Sequence, residues 1–102
     1  MNIPDDPFII ELLPEFLDSW IADMDTQFAT LVAAKNENDT YRLAHTLKGS
    51  CFQFGIDEIG RMGVEIMALV RAHEWDKVAS YEAPLKQKFA ETKKFIEENL
   101  NK

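Results

Sequence analysis

The sequence YRLAHTLKGSCFQFG runs from Tyr41 to Gly55 and has the apolar spacing of an amphipathic helix. One side of that helix is apolar at about 100° per residue: Leu43, Leu47, Cys51 and Phe54, edged by Ala44 and Ser50. We expect the helix to begin near Thr40, with Asn38 or Asp39 as its cap, and to end at Gly55. Its apolar side is then expected to face the core of a helical bundle.

The other side of this helix presents His45, which we expect to face solvent at the helix centre. Lys48 lies one turn further on, where its ammonium group can offset the charge of an arriving anion. Gly49 follows, although a glycine inside a helix costs about 1 kcal/mol relative to alanine. Its missing side chain clears the space over the imidazole for another protein. An accessible neutral imidazole is a good nucleophile near neutral pH, so these residues predict a histidine that accepts an anionic group from a docked partner.

The same exposed side extends in both directions along the helix. Tyr41 and Arg42 lie one turn before His45, and Phe52 lies further on. An aromatic ring on a face that should be wet is typical of a docking surface. We therefore expect these three residues to contact the partner.

Further amphipathic helices flank this segment on both sides. We expect a short lead-in helix over Asp5 to Leu13 and a first long helix from Pro14. A third helix is expected from about Asp57 to His73, and a fourth from near Asp76 that Pro84 kinks or splits. The predicted core positions of the first and fourth helices recur at helical spacing: Leu17, Ile21, Met24, Phe28 and Leu31, then Val78, Leu85, Phe89, Thr92 and Ile96. The pattern predicts an all-α, antiparallel up-down four-helix bundle with a short N-terminal lead-in helix, as one domain over residues 1–102.

Composition excludes several classes of function. The 102 residues include 11 Lys and Arg against 18 Asp and Glu, a formal net charge of −7, which disfavours binding to nucleic acid or anionic lipid. No apolar stretch approaches the roughly 20 residues that span a bilayer, and the start of the chain lacks a signal peptide's pattern. The single Cys51 favours a reducing compartment. We expect a cytoplasmic protein.

The stretch from Ala44 to Ser50, followed by Phe54-Gly55 and preceded by Asp39, resembles the signature of histidine-containing phosphotransfer (HPt) domains. The resemblance implies a phosphorelay module that takes a phosphoryl group from a receiver-domain aspartate onto Nε2 of His45 and passes it to another receiver. It implies no kinase activity and no cofactor of its own, because the receiver supplies Mg²⁺; a hybrid histidine kinase is a possible partner. Lys48 would then stabilise the phosphoryl charge, and Gly49 would provide clearance.

The resemblance also directs attention to the third helix. Many relatives have a Gln or Glu there that orients the histidine ring, whereas this chain has Met67 at the matching position. Arg71 matches a basic position of some relatives and is a further candidate for the transfer site. We expect a receiver-docking surface on a monomeric domain, formed by residues of three segments: Phe8, Ile9, Tyr41, Arg42, Phe52, Val64 and Met67.

Other classes fit the sequence less well. A di-iron bundle needs Glu-x-x-His pairs, but Arg42 and Val70 stand three residues before the two histidines. Neither Cys-x-x-Cys nor His-x-x-x-His is present, which argues against structural zinc. The exposed histidine of a kinase dimerisation helix is usually followed by an acidic residue, whereas Thr46 follows here. The main alternative is a non-catalytic helical adaptor that binds a partner through the His45 face.

Overall fold

The computed structural model describes residues 6–99, and helices make up most of that part of the chain. Helix α1 spans Pro7–Asp23 and continues through a π-helical turn, Met24–Phe28, into α2, Ala29–Ala33. The remaining helices follow in order: α3 Glu37–Gln53, α4 Asp57–Arg71, α5 Trp75–Ala79 and α6 Glu82–Asn99. Helix α1, the π-helical turn and α2 form one rod. This rod and the helices α3, α4 and α6 are four long helical segments, which confirm the predicted all-α bundle.

Ion pairs between helices show how the bundle is arranged. Lys93 of α6 pairs with Asp18 of α1 at 2.7 Å, and Lys86 pairs with Asp25 further along the same rod. Residue numbers therefore rise along α6 as they fall along the first rod, so the two run antiparallel. Helices α3 and α4 are joined by only three residues, 54–56, which likewise places them antiparallel and adjacent.

A continuous core runs the length of the bundle. Trp20 of α1 stacks on Phe89 of α6, with ring centroids 6.2 Å apart and an interplanar angle of 4°. All five core positions predicted for the last helix are buried: Val78, Leu85, Phe89, Thr92 and Ile96. Burial also raises the pKa of the Cys51 thiol to about 12, so this side chain acts as an apolar core group.

The N-terminal lead-in segment is the first part of α1 and not a separate helix. Asp6 caps the helix by accepting a hydrogen bond from the Phe8 amide at 2.9 Å, and Pro7 occupies the first helical position. The helix then runs through Pro14 without a break. Leu13 and Leu17 are both fully buried on either side of this proline, and their burial outweighs the loss of one backbone hydrogen bond.

The π-helical turn at Met24–Phe28 keeps the first rod's buried stripe in line. The buried residues of this stripe are spaced by four positions: Trp20, Met24, Phe28 and Val32. In a regular helix each step of four positions rotates about 40° further than a full turn. A π-helical turn takes more residues per turn, so it cancels much of this drift. The stripe thus stays against the core where a regular helix would rotate it towards solvent.

Helix α3 begins earlier than predicted, and its C-terminal end agrees with the prediction. Helix α3 begins at Glu37, because Asn36 is the cap and its side chain accepts a hydrogen bond from the Asp39 amide at 3.1 Å. The predicted caps, Asn38 and Asp39, therefore lie inside the first turn. At the other end Gly55 has a positive φ of 76°, and the Ile56 amide donates to the Cys51 carbonyl at 2.8 Å. This is a glycine-terminated helix end, as predicted.

The predicted effect of Pro84 is confirmed as a split. Helices α5 and α6 are separated at residues 80–81, and Pro84 stands in the first turn of α6, where its missing N–H leaves no helical bond unmade. Helix α4 ends at Arg71, two residues before the predicted end, because His73 adopts a left-handed backbone with φ 57°. The turn at His73 sends the chain into α5.

Candidate functional site

His45 lies at the middle of α3 with its side chain exposed to solvent, as predicted. The buried side of α3 is rotated slightly from the predicted one, since Ala44 is buried whereas Leu43 is only half-buried. Within residues 6–99 the His45 ring has no hydrogen-bond or ion-pair partner. Both of its ring nitrogens are therefore available to an incoming group.

Lys48 lies one turn beyond His45 and is half-buried. Its side chain begins against Gly63 of α4, where an added Cβ would lie 3.2 Å from Lys48 Cβ. No carboxylate of the described chain lies within 4.0 Å of its ammonium group. Lys48 thus has a supported stem and an uncompensated charge beside His45, which is the arrangement that the sequence predicted.

Gly49 faces open space. A Cβ built at this position meets no heavy atom within 4 Å outside the local helix backbone. Packing within the described chain therefore does not require glycine here, although glycine weakens the helix. The space at position 49 is open to another molecule, and the role of Gly49 in providing clearance stays a prediction.

Helix α4 lies close against α3 next to the His45 turn. A Cβ at Gly63 would lie 3.1 Å from both the Ala44 carbonyl oxygen and the Lys48 amide nitrogen. These two backbone atoms belong to the residues that flank the His45 turn, so α4 supports this turn from the side. Glycine permits this close approach, because a side chain at position 63 would press on backbone atoms of α3.

Phe52 and Val64 form an exposed apolar surface beside the site. Phe52 lies two turns beyond His45 and is 41% exposed, with its ring against Gly60 of α4. Val64, one turn beyond Gly60, is 46% exposed. The structure thus brings together two of the predicted docking residues from separate helices.

The N-terminal docking residues are less uniform. Phe8 is 78% exposed, whereas Ile9 is half-buried against the core. Leu12, which the sequence did not single out as a docking residue, is 57% exposed. Its spacing of four from both Phe8 and Phe16 is the signal that places these side chains on one side of α1. Phe16 in turn contacts Phe54 after α3, with ring centroids 4.8 Å apart.

Arg71 is committed to a charged cluster across α3 and α4. Its Nη1 donates to Glu37 Oε2 at 2.9 Å, and its guanidinium lies 3.9 Å above the centre of the Tyr41 ring. His73 Nε2 lies 2.7 Å from the other oxygen of Glu37. Glu37 and Tyr41 stand two turns and one turn before His45, so the charge of Arg71 is already partly compensated. Its predicted part in phosphoryl transfer stays a prediction.

The sequence did not indicate the roles of Glu37 and His73. Glu37 lies three residues before the expected helix start near Thr40, outside the predicted helix. The pattern Asn36 to Asp39, a capping residue with an acidic residue three positions later, is the signal that would have moved the start. The pairing with His73 spans 36 positions and has no local signal.

The cluster makes a prediction about pH. Hydrogen bonds with His73 and Arg71 lower the pKa of Glu37. Its ionised form is therefore favoured in the folded state, and this contribution is present above the ordinary carboxyl pKa and lost as pH falls through the lowered one. We expect Glu37→Gln to lower the thermal unfolding temperature slightly at neutral pH, with the difference from wild type vanishing in acid.

Thermal melts of both proteins over a pH series provide the measurement. Glu11→Gln is the matched control, since Glu11 is an exposed helical glutamate without a partner in the described chain. It should leave the melting temperature unchanged at each pH. A Glu37→Gln penalty that persists in acid would show that the carboxylate charge is not its source.

Met67 lies on α4 between two residues that contact α3 near His45. Gly63, one turn before it, lies against Ala44 and Lys48, and Arg71, one turn after it, lies over Tyr41. Met67 therefore faces the Tyr41 to His45 turn and is half-buried. Its thioether is at most a weak hydrogen-bond acceptor, so it contributes packing to this contact.

An open groove of about 650 Å³ lies on the other side of α3, against the first rod. Trp20 and Leu43 provide its apolar surface, and Arg42 and Thr46 extend to the edge nearest His45. Arg42 is exposed and lies 3.8 Å from Asp39, a weak ion pair that leaves its guanidinium accessible. Arg42 thus borders both His45 and the groove.

Within residues 6–99 no group of three or more His, Cys, Asp or Glu side chains is arranged to hold a metal ion. No helix in the same range is long and apolar enough to cross a membrane.

Comparison with known proteins gives one match. A family model described as Hpt domain matches residues 11–97, nearly the whole chain. The matched span contains the α3 helix with His45, Lys48 and Gly49, and it leaves Phe8 and Ile9 outside. No curated protein and no solved structure matches the chain.

Proposed function

The chain belongs to the Hpt domain family, whose members carry phosphoryl groups on histidine in phosphorelays, and on this premise we propose that His45 is its phosphoryl acceptor. One observation supports the choice of His45 most strongly. It is exposed at the centre of α3 without a partner in the described chain, and an uncompensated ammonium and an open glycine position follow one turn further on. The other histidine, His73, already contacts Glu37.

The proposed step is an in-line transfer from a receiver-domain aspartyl phosphate. The neutral ring, with its proton on Nδ1, attacks phosphorus through the Nε2 lone pair. An N–P bond forms as the P–O bond to the aspartate breaks, and the electron pair leaves with the carboxylate. Transfer to a second receiver reverses the step. Such chemistry requires mainly positioning and charge stabilisation, so one nucleophile on a rigid helix suffices on this side.

Lys48 is proposed to stabilise the phosphoryl oxygens, and Gly49 to admit the receiver. In this proposal the receiver provides Mg²⁺ and the remaining catalytic groups, and the chain has neither kinase activity nor a cofactor of its own. Phe52, Val64 and Phe8 are exposed apolar residues suited to docking the receiver, with Arg42 and Met67 beside them. We further propose that the domain acts as a monomer in the cytoplasm.

Lys48→Gln should slow the transfer from a receiver by about 10- to 100-fold. The estimate follows from the roughly 1.5–3 kcal/mol that a hydrogen bond to a charged group contributes. Rapid-quench measurement of the first-order transfer rate at saturating receiver separates this effect from weaker docking. Lys94→Gln is the control, because Lys94 is an exposed α6 lysine whose nearest carboxylate is 4.0 Å away. An unchanged rate for Lys48→Gln would remove Lys48 from the mechanism.

The proposal is tested by labelling with phosphorylated receiver domains. Each receiver of the source organism is phosphorylated, mixed with the chain, and the transferred label is tested for stability in acid and base. Label that is lost in acid and retained in base identifies a phosphohistidine. Absence of label with every receiver would contradict the proposal and favour a non-catalytic adaptor.

A further inference from the structure

The contact between Gly60 and Phe52 is unusually close. A Cβ built at Gly60 would lie 3.0 Å from each of three ring carbons of Phe52, Cδ1, Cδ2 and Cε1. Carbon atoms that are not bonded to each other lie at about 3.5–4.0 Å in favourable contact. A side chain at position 60 would therefore force the ring of Phe52 to shift.

This contact fixes the direction of an exposed aromatic ring. Gly60 is buried, whereas Phe52 stays 41% exposed, so one part of the ring is covered by α4 and the other part faces solvent. Val64 continues the exposed apolar surface one turn further along α4. A ring on a helix surface without such support would exchange between staggered rotamers.

We propose that Gly60 is a positioning residue for docking: it holds the Phe52 ring against α4 in the orientation that a receiver domain contacts. This inference rests on the proposed function and adds a residue with no contact to the phosphoryl group. A ring that is ordered before binding loses less conformational freedom when the partner arrives. Gly60 therefore acts on the affinity for the receiver, through Phe52, and leaves the chemistry at His45 unaffected.

The three glycines of this region are distinguished by what an alanine would meet. At Gly63 the added methyl group would press on backbone atoms of α3, so the two helices would have to shift apart slightly. At Gly49 it would meet nothing within 4 Å. At Gly60 its three nearest neighbours would be ring carbons of the half-exposed Phe52, a side chain that can rotate into solvent. Gly60→Ala is thus expected to fold while displacing the Phe52 ring.

The test is a double-mutant cycle on receiver binding. Wild type, Gly60→Ala, Phe52→Ala and the double variant are titrated calorimetrically with the receiver that labels the wild-type chain. Gly60→Ala should weaken binding by about 3- to 10-fold, as expected when one ordered side chain becomes mobile. In the Phe52→Ala background the same substitution should have no further effect, because no ring remains to be displaced.

Two further measurements separate this inference from the proposed function. Nuclear Overhauser contacts between the Phe52 ring and Gly60 Hα should be present in the wild type, and the ring should lose its α4 contacts in Gly60→Ala. Labelling of His45 by a small phosphoramidate, which needs no docking, should be equal in both proteins. The inference would be overturned if Gly60→Ala bound the receiver as tightly as wild type does. It would also be overturned if Gly60→Ala lowered the affinity equally with and without Phe52. In either case, receiver labelling of the wild-type chain would still support the proposed function. A wild-type chain that accepts no phosphate from any receiver would instead count against the proposed function.

Discussion

Replacing His45 with Gln is expected to abolish phosphoryl labelling of the chain completely. Glutamine lacks a nucleophilic ring nitrogen, so no N–P bond can form at this position. His45 is exposed and has no partner within the described chain, so no native contact is lost. The free energy of unfolding should therefore stay within about 0.5 kcal/mol of wild type. Radiolabel transfer from a phosphorylated receiver and chemical denaturation of the same samples measure the two effects.

The chain provides its own matched control in its second histidine. His73 is also exposed, and it contacts Glu37 at 2.7 Å. His73→Gln should retain full labelling, and any loss of stability should come from the contact with Glu37. Label that persists in His45→Gln and disappears in His73→Gln would transfer the acceptor role to His73. A large loss of stability in His45→Gln would show that His45 has a structural role.

Gly49→Gln is expected to slow transfer from the receiver by on the order of 100-fold, because displacing the reacting groups by as little as 1 Å can have this effect. The new side chain starts from a position where an added Cβ meets no heavy atom within 4 Å outside the local helix backbone, and we expect it to occupy space that the docked receiver must enter. Glutamine is also a better helix former than glycine by roughly 1 kcal/mol. The variant should therefore be as stable as wild type or more stable. Transfer kinetics and thermal unfolding on one preparation provide the measurement.

Two other substitutions define what this result means. Ala90→Gln places the same side chain on an exposed position of α6 and should leave transfer unchanged. Gly49→Ala adds only a methyl group and should fall between wild type and Gly49→Gln. If Gly49→Gln transfers at the wild-type rate, the glycine does not provide clearance and its cost to the helix needs another explanation.

Local sequence patterns predicted most of the fold and the geometry around His45. Helical periodicity identified the buried residues of α6 because a residue's face on a helix depends only on its position along that helix. The exposure of His45 and the open space at Gly49 follow from the same rule. The lead-in helix was a wrong prediction because Pro14 is a local signal, whereas the burial of Leu13 and Leu17 against other helices is not.

The contacts between residues near the site could not be predicted from the sequence, for a physical reason. The contacts of Arg71 and His73 with Glu37 span 34 and 36 positions, and they require a particular register between α3 and α4. Periodicity specifies which side of each helix is buried, but it does not specify how far one helix is shifted along another.

The sequence by itself determined that the chain is helical, that Gly55 follows the end of α3 and terminates it, and that His45, Lys48 and Gly49 lie together on an outward-facing side. Only the tertiary structure decided that Arg71 pairs with Glu37 and that the Phe52 ring rests on Gly60. The first set follows from the geometry of a single helix. The second depends on the distance and register at which two helices pack, which all their contacts determine together.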